Sequence, residues 1–477
     1  NSFCTLLAVQ MSLLRVFSGS CLSLDDHDYS MPRLVARKHV LGSGEDLFDE
    51  DGRPKQPQPR TLTKVFSGSA LDLNAQGDSD SDASHGVSPA NAPADRTQQS
   101  FNDFVDGVHR TRDATSGNNR TMVLVVGGAG YLASHVIEHL LRAGYQVRAT
   151  VSDMRDSGKV HDLYQIVPEA KHMLFVVEAD VFSASSLRSA MLGCRYVMHC
   201  GVPPVPAGVD VVDGHLEAVM ALFDAIRTSD VSRTRRIERV VLTASYTNVV
   251  GGRPLGGCAS GTYDESDWND VTRDADPLSF ARLVFEKEAA RLAKMVKVEL
   301  VVVLPAIMIG PARTMEVSEA MRTITDFASC SPLFPVAPNI FWNFVDVRDV
   351  AAAEVTAMIA PGVDGERFVV TNSLLSLAEL GRLIRSSHPH LSAPVYTAPT
   401  WLSLATVPWA QSRASAAYLW RTLGVRRELN GHKAREHLNL SQTAMETTVA
   451  DAVASLIQEG HLPEAAAPAG DVAKPRS

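Results

Sequence analysis

The amino-acid sequence predicts a doubly wound α/β fold: a parallel sheet with helices on both faces, a smaller lobe on the C-terminal side and a disordered extension at the N-terminus. Three observations predict it. Composition changes sharply near residue 120. The residues that follow spell a strand, a helix and a second strand, and the turn inside that unit is Gly127-Gly128-Ala129-Gly130.

Length and composition set the outer bounds. A chain of 477 residues exceeds one ordinary core, because a domain takes roughly 100–200 residues. Apolar and charged fractions of 45% and 21% are those of an average soluble protein. No uninterrupted apolar run of about 18 residues occurs, so no membrane span is expected. A net charge of -9 gives no electrostatic reason to expect nucleic acid as a partner. The cysteines at 4, 21, 194, 200, 258 and 330 make no C-x-x-C pair and no metal-like spacing, so reduced thiols and no metal site are expected. The cytoplasm is the expected compartment. Asn1 rather than Met at the start reads as a fragment or a processed form, and Cys4 to Val16 is apolar enough to be the remnant of a targeting segment.

Residues 1–119 are expected to form the extension. From about Asp25 onward Ser, Asp, Gly, Pro, Gln and Asn dominate, as in Asp78-Ser79-Asp80-Ser81-Asp82, and such a segment buries too little apolar surface to offset its chain entropy. Arg15-Val16-Phe17-Ser18-Gly19-Ser20-Cys21-Leu22 recurs as Lys64-Val65-Phe66-Ser67-Gly68-Ser69-Ala70-Leu71. The repeat reads either as a docking motif for a protein partner or a phosphorylation motif, or as compositional drift.

From Thr121 the pattern is that of a folded domain. Met122-Val123-Leu124-Val125-Val126 is a continuous apolar run, as in a buried parallel strand. Ser134 to Ala143 then carries Val136, Ile137, Leu140 and Leu141 at helical spacing, with Gly144 as a stop, and Gln146 to Val151 forms the next strand. In the turn between them Gly127 permits the tight bend, Gly130 lets backbone approach a pyrophosphate, and the small Ala133 lets helix pack on strand. These are the parts of a dinucleotide site, with a purely structural turn as the alternative.

Val126-Gly127-Gly128-Ala129-Gly130-Tyr131-Leu132-Ala133-Ser134-His135 resembles the T-G-A-T-G-F-I-G-S-H opening of extended short-chain dehydrogenases, in particular the dihydroflavonol reductase, cinnamoyl-CoA reductase and 3β-hydroxysteroid dehydrogenase group of the NAD-dependent epimerase/dehydratase superfamily. Six further stretches carry the same likeness: Ala179-Asp180-Val181, His199-Cys200-Gly201-Val202-Pro203, Arg239 to Ser245 (R-V-V-x-T-S-S), Tyr263 to Asp270 (D-E-x-x-W-x-D), Pro305 to Pro311 and Phe344 to Ala351. Near the end, Asn430 to Leu438 resembles the group's D-N-S-K-A-x-x-x-L-G stretch. The resemblance implies a Rossmann-type NAD(P)-binding domain over 120–312, a substrate lobe over 313–465 interleaved with the last strands, and a disordered tail over 466–477. Asp346-Val347-Arg348-Asp349 would join the lobes by capping and pairing.

For the cofactor, NADP or NAD, the resemblance assigns Gly127, Gly130, Tyr131 and Leu132 at the turn, Asp180 and Val181 after the third strand, Gly201 after the fourth, and Pro305 and Ile307 late in the domain. Ser152 stands where this group commonly has the arginine that pairs with a 2′-phosphate, which weakens the case for NADP; Arg155 and Lys159 are the candidate replacements on that loop.

The catalytic positions depart from the pattern. In the family a tyrosine and a lysine, Y-x-x-x-K, protonate the nascent alkoxide and hold the nicotinamide ribose. Phe280 takes the tyrosine's place and Val284 the lysine's, while Ser245 matches the family serine. A register shift of one puts Ser279 and Leu283 there, which restores nothing. Tyr246 and Tyr263 are candidate relocated acids, and Lys287 lies two helical turns beyond Phe280. The expectation is an NAD(P)-binding member that is catalytically impaired and acts as a binding, regulatory or scaffold protein. The alternative is an active oxidoreductase on a carbonyl or hydroxyl of a hydrophobic small molecule. The aromatic stretch from Pro399 to Trp409, with Tyr418 and Trp420, would pack between lobes or line such a pocket, and a homodimer is the assembly the resemblance suggests.

Overall fold

A computed structural model describes residues 121–201, 204–229, 236–250, 261–314, 318–330, 336–405 and 422–465. The repeated motif of the extension, Val202 and Pro203, Cys4, Cys21, Cys258, Trp409, Tyr418, Trp420 and the tail lie outside the described residues.

Apolar runs and helical spacings alternate through the first half. They give β1 (Met122–Val126), α1 (Tyr131–Arg142), β2 (Gln146–Val151), α2 (Ser157–Gln165), β3 (Leu174–Glu178), α3 (Ala184–Met191), β4 (Tyr196–His199), α4 (Val211–Ser229) and β5 (Arg239–Thr243). After the short β6 (Gly261–Tyr263) come α5 (Pro277–Val296), β7 (Glu299–Pro305), β8 (Ile307–Ile309) and α6 (Glu319–Ala328). The remainder comprises β9 (Val336–Ala337), β10 (Phe341–Asp346), α7 (Val347–Ile359), β11 (Arg367–Val370), β12 (Ser373–Ser376), α8 (Leu377–Ser387), β13 (Tyr396–Thr397), α9 (Thr400–Ala405), β14 (Arg427–Leu429), α10 (His432–His437) and α11 (Met445–Gln458).

The main sheet has seven strands in the order β11-β7-β5-β4-β1-β2-β3, and every pairing in it is parallel. Parallel strands lie between two helical layers and so run apolar, as Met122-Val123-Leu124-Val125-Val126 of β1 shows, buried from Val123 onward. α1 and α7 pack on one face, and α4 and α5 pair on the other. The first helix begins at Tyr131 rather than at Ser134, because Tyr131 and Leu132 are themselves buried and continue the apolar stripe of Val136, Ile137, Leu140 and Leu141. It stops at Ala143, and Gly144 turns the chain with φ +82°.

The remaining strands form smaller sheets. β12-β10-β8 is one, and the pairs β13-β9 and β14-β6 are the others. Asp346, at the end of β10, caps α7 by accepting the Arg348 N–H at 2.8 Å. Its carboxylate also takes the Arg348 guanidinium at 3.0 and 2.7 Å and the Thr448 hydroxyl at 2.8 Å, while Arg348 reaches on to Asp451. Asp349 accepts from the Thr443 N–H and hydroxyl. These charges cap and pair, as the sequence suggests, and they stitch α7 to the start of α11.

Candidate functional site

The sheet order reverses between β1 and β4. Chain leaves β1 toward β2 on one side, while β4 lies hydrogen-bonded on the other. In open α/β sheets ligands bind at the carboxyl ends of the strands on either side of such a switch point. The glycine turn follows β1 and His199-Cys200-Gly201 follows β4, so the two segments meet at this crevice.

The turn is built for backbone access. Gly127 has φ +75°, a left-handed value that a side chain would strain, and its N–H donates to Thr150 Oγ1 at 2.9 Å. Gly128 donates to the Thr150 carbonyl at 2.8 Å, and a Cβ there would come within 2.7 Å of Ala149 Cβ. Gly130 begins α1 with no side-chain cap among the described residues, so the first N–H groups of the helix are left to a ligand. Ala133 is fully buried where helix meets sheet. Uncapped donors at a positive helix terminus, behind a turn no larger residues would permit, fit a dinucleotide pyrophosphate.

Tyr131 does not face this crevice. It is buried, and its hydroxyl donates to the Gly310 carbonyl at 2.9 Å, while His135 bonds the Pro311 carbonyl at 2.9 Å. The Gly310-Pro311 signature is thus the backing of the glycine turn. Leu132 and Pro305 are buried as well, and Ile307 is half-buried.

On the loop after β2, Arg155 forks onto Asp153 at 3.0 and 3.1 Å, with 91% of its side chain exposed. Lys159 lies 3.9 Å from Asp156, the residue that caps α2. Both candidate 2′-phosphate partners therefore already face carboxylates, in solvent-exposed pairs that are weak and easily exchanged. Asp180 accepts the Phe182 N–H at 2.9 Å, and its own N–H donates to Ser186. Val181 is half-buried beside it. Gly201 has φ +116° and closes the β4 exit by donating to the His199 carbonyl at 2.9 Å.

Ser245 follows β5 and caps a single helical turn, Tyr246–Asn248. Its oxygen accepts from the Thr247 N–H at 3.2 Å and the Thr247 hydroxyl at 2.9 Å. A serine hydroxyl has two acceptor sites and one proton, so with both acceptors used its proton is the part left to offer. Phe280 and Val284 stand on successive turns of α5. Both are half-buried, and neither joins the core cluster or the apolar residues packed against it among the described residues. Four residues apart, they set a phenyl ring and an isopropyl group on the same face of the helix. Between them, the charge of Arg282 bears on Tyr246, His215 and Glu319.

The other candidates go to structural duties. Tyr263 belongs to β6 and is 7% exposed in the core. Tyr246 is half-buried against the core, and burial raises its pKa, opposed by Arg282 and Arg427. Ser279 bonds Asp276, the cap of α5, and Leu283 is buried. Lys287 is exposed, with its ammonium 5.0 Å from the Trp268 ring.

A network absent from the sequence reading holds α5. Asn248 Nδ2 donates to Glu286 Oε2 at 2.6 Å, and Arg367 Nε donates to Glu286 Oε1 at 2.6 Å. Arg367 also stacks 3.6 Å from the Trp268 ring and donates to the carbonyls of Glu265 and Asp267. The Tyr263 to Asp270 stretch is therefore a clamp between β11 and α5. A buried acid on an amphipathic helix was the available signal. Beside the β12-β10-β8 sheet, Ile307, Ile324, Phe327, Trp342 and Phe344 line a small apolar gap in the packing. No trio of His, Cys, Asp and Glu among the described residues could hold a metal ion.

Comparisons with known proteins agree with this geometry. The profile of the NAD dependent epimerase/dehydratase family matches residues 123–371. The chain is 31% identical over 286 residues to cinnamoyl-CoA reductase 1 of Oryza sativa subsp. japonica, covering 59% of this chain and 80% of that one. It is 29% identical over 271 residues to tetraketide alpha-pyrone reductase 2 of Arabidopsis thaliana, covering 56% and 83%. Among solved structures, yeast methylglyoxal/isovaleraldehyde reductase Gre2 complexed with NADPH superposes with a TM-score of 0.59 at 20% identity, over 72% of this chain and all of that one. At that identity the likeness speaks for the fold alone.

Proposed function

This chain belongs to the NAD dependent epimerase/dehydratase family, and from that premise we propose that it binds NADP or NAD but is impaired as a catalyst, serving as a binding, regulatory or scaffold protein. The observation that carries this reading is the pair Phe280 and Val284 on an otherwise intact α5.

Reduction of a carbonyl needs a hydride and a proton. A bound reduced nicotinamide supplies the hydride. On the protein side, Ser245 can hydrogen-bond and orient a carbonyl through its free proton, but Phe280 has no proton to deliver, and Val284 brings no cation to stabilise developing charge. Loss of general acid catalysis typically costs about 10²–10⁴-fold in rate. Tyr246 is a poor substitute, since burial raises its pKa and its ring packs on the core. The 1–119 extension, with its repeated motif, is the segment we assign to a protein partner.

One observation favours a second reading. The relatives above are named as reductases, and Ser245 stands where the family has its serine. An active reductase would then draw its proton from water or from Tyr246. The discriminating experiment is a fluorescence titration of the protein with NADPH and NADH, followed by carbonyl-reduction assays beside the Phe280→Tyr, Val284→Lys double variant. Binding with turnover far below the double variant supports the impaired reading. Equal turnover supports the second.

A further inference from the structure

Behind the crevice lies a carboxyl that the chemistry above leaves unused. Glu354 sits midway along α7, a helix in which every residue except Arg348 is buried, and its own exposure is 0%. Two side chains reach it. The Cys200 thiol, in the segment that leaves β4, lies 3.6 Å from Oε2, and the Thr243 hydroxyl, two residues before Ser245 at the end of β5, donates to Oε1. One carboxyl thus ties the exit of β4, where the nucleotide segment begins, to the exit of β5, which delivers Ser245.

We propose that Glu354 is a positioning residue for the nucleotide site, and that gain or loss of its proton sets how tightly the crevice holds a dinucleotide. The inference rests on the reading of this crevice as an NAD(P) site.

The surroundings explain why the proton matters. No cation pairs with Glu354 among the described residues, because the nearby ones are engaged elsewhere. On β5, Arg239 caps the C-terminal carbonyls of α7 and pairs with Glu299 of β7. Arg348 of α7 pairs with Asp346 of β10 and with Asp451, and Arg367 of β11 pairs with Glu286 on the opposite face of the sheet. From α1, Glu138 pairs with Arg142 and Arg313, and His135, bonded to the Pro311 carbonyl, is held neutral by burial. His139, also on α1, is neutral for the same reason, and His199 of β4 faces Phe285 on the other side. Burial pushes the Glu354 carboxyl up to about 7, with the bonds from Thr243 and Cys200 acting the other way.

Ionised, the group accepts two hydrogen bonds but places an uncompensated negative charge behind the ends of the central strands, where an anionic pyrophosphate binds. Protonated, it keeps the bridge without the charge. Loss of that charge favours nucleotide binding to the protonated form. By linkage, binding then takes up a proton from solvent at neutral pH.

The test is isothermal titration calorimetry of the full chain with NADPH and with NADH at pH 6, 7 and 8.5, in buffers of different ionisation enthalpy, for wild type and Glu354→Gln. NADH lacks the 2′-phosphate, whose own titration is thereby separated. Expected is proton uptake by wild type at pH 7 and affinity about tenfold weaker at pH 8.5 than at pH 6 for one unit of linkage, with both effects lost in Glu354→Gln. Thr243→Val, which removes a donor to the ionised form, should move the wild-type window to higher pH. Binding without proton uptake in wild type overturns the proposal even if the glutamine variant does not fold, and leaves the nucleotide reading standing. Binding with the same pH profile in both proteins also overturns it. Failure of wild type to bind either nucleotide overturns both.

Discussion

Arg367 and Glu286 face each other across 2.6 Å beneath the helix that carries Phe280 and Val284. The pair is buried, with side chains 11% and 1% exposed, and Asn248 completes it from the turn that begins at Ser245. The frame that would aim a proton donor at the cleft is therefore in place. What has changed is the pair of side chains standing on it.

Removing one partner of that pair should unfold much of this support. Arg367→Ala leaves the Glu286 carboxylate buried and short of a cation, which costs about 3–5 kcal/mol. Urea denaturation should show that loss, and Glu286→Gln, which keeps a hydrogen-bonding group, should show less.

The glycine turn should be sensitive at two positions for different reasons. Gly127→Ala forces a side chain into left-handed backbone and should cost about 1–2 kcal/mol. Gly128→Ala instead drives a Cβ into Ala149 at 2.7 Å and should displace the turn. Both variants should bind NADPH more weakly than wild type by fluorescence titration. The β2 variant Thr150→Val, which removes the acceptor of the Gly127 N–H, should fall between them and wild type.

Cofactor preference should be tunable at Ser152. Placing an arginine there adds a charge-assisted bond to a 2′-phosphate, so Ser152→Arg should tighten NADPH about tenfold and leave NADH unchanged. Arg155→Ala should alter the NADPH to NADH ratio less, because its guanidinium is shared with Asp153.

Acid should destabilise the fold through its buried imidazoles. Burial lowers His135 to about 3 and both His139 and His199 to about 4. The unfolded chain binds these protons near pH 6.5 and the folded chain does not, so stability they contribute is present above about 6.5 and is lost as pH falls toward 4. Asp349, raised to about 7 by burial and by Asp346, acts with the opposite sign and loses its contribution as pH rises from about 4 to 7. His199→Phe, at a ring already packed on Phe285, should lower the slope of unfolding free energy against pH between 4 and 6.5 by one proton, about 1.4 kcal/mol per pH unit.

Much of this was legible in the sequence. β1, the glycine turn, the stop at Gly144 and the duties of Asp346 and Arg348 follow from apolar runs, backbone requirements and short-range capping. Phe280 and Val284 were legible as substitutions because the family-like stretches before and after them, Tyr263 to Asp270 and Pro305 to Pro311, are kept. The contacts that fix the site were not, since they join residues far apart in the chain. Arg367 meets Glu286 across 81 positions and Cys200 meets Glu354 across 154, and no local periodicity records such pairings. The core position of Tyr263 was not legible for the same reason: its strand pairs with β14, a partner visible only in the fold. Arg155 lies on the loop after β2, as the sequence suggests, whereas Lys159 lies in the first turn of α2, and neighbouring carboxylates compete for both.

The central claim is that a dinucleotide site survives here without the side chains that complete its chemistry. The most direct measurement is single-turnover reduction of a carbonyl substrate by the NADPH-loaded protein, wild type beside Phe280→Tyr, Val284→Lys. The account predicts comparable nucleotide affinity in the two and a double variant about 10²–10⁴-fold faster than wild type. A wild-type rate equal to that of the double variant would contradict it.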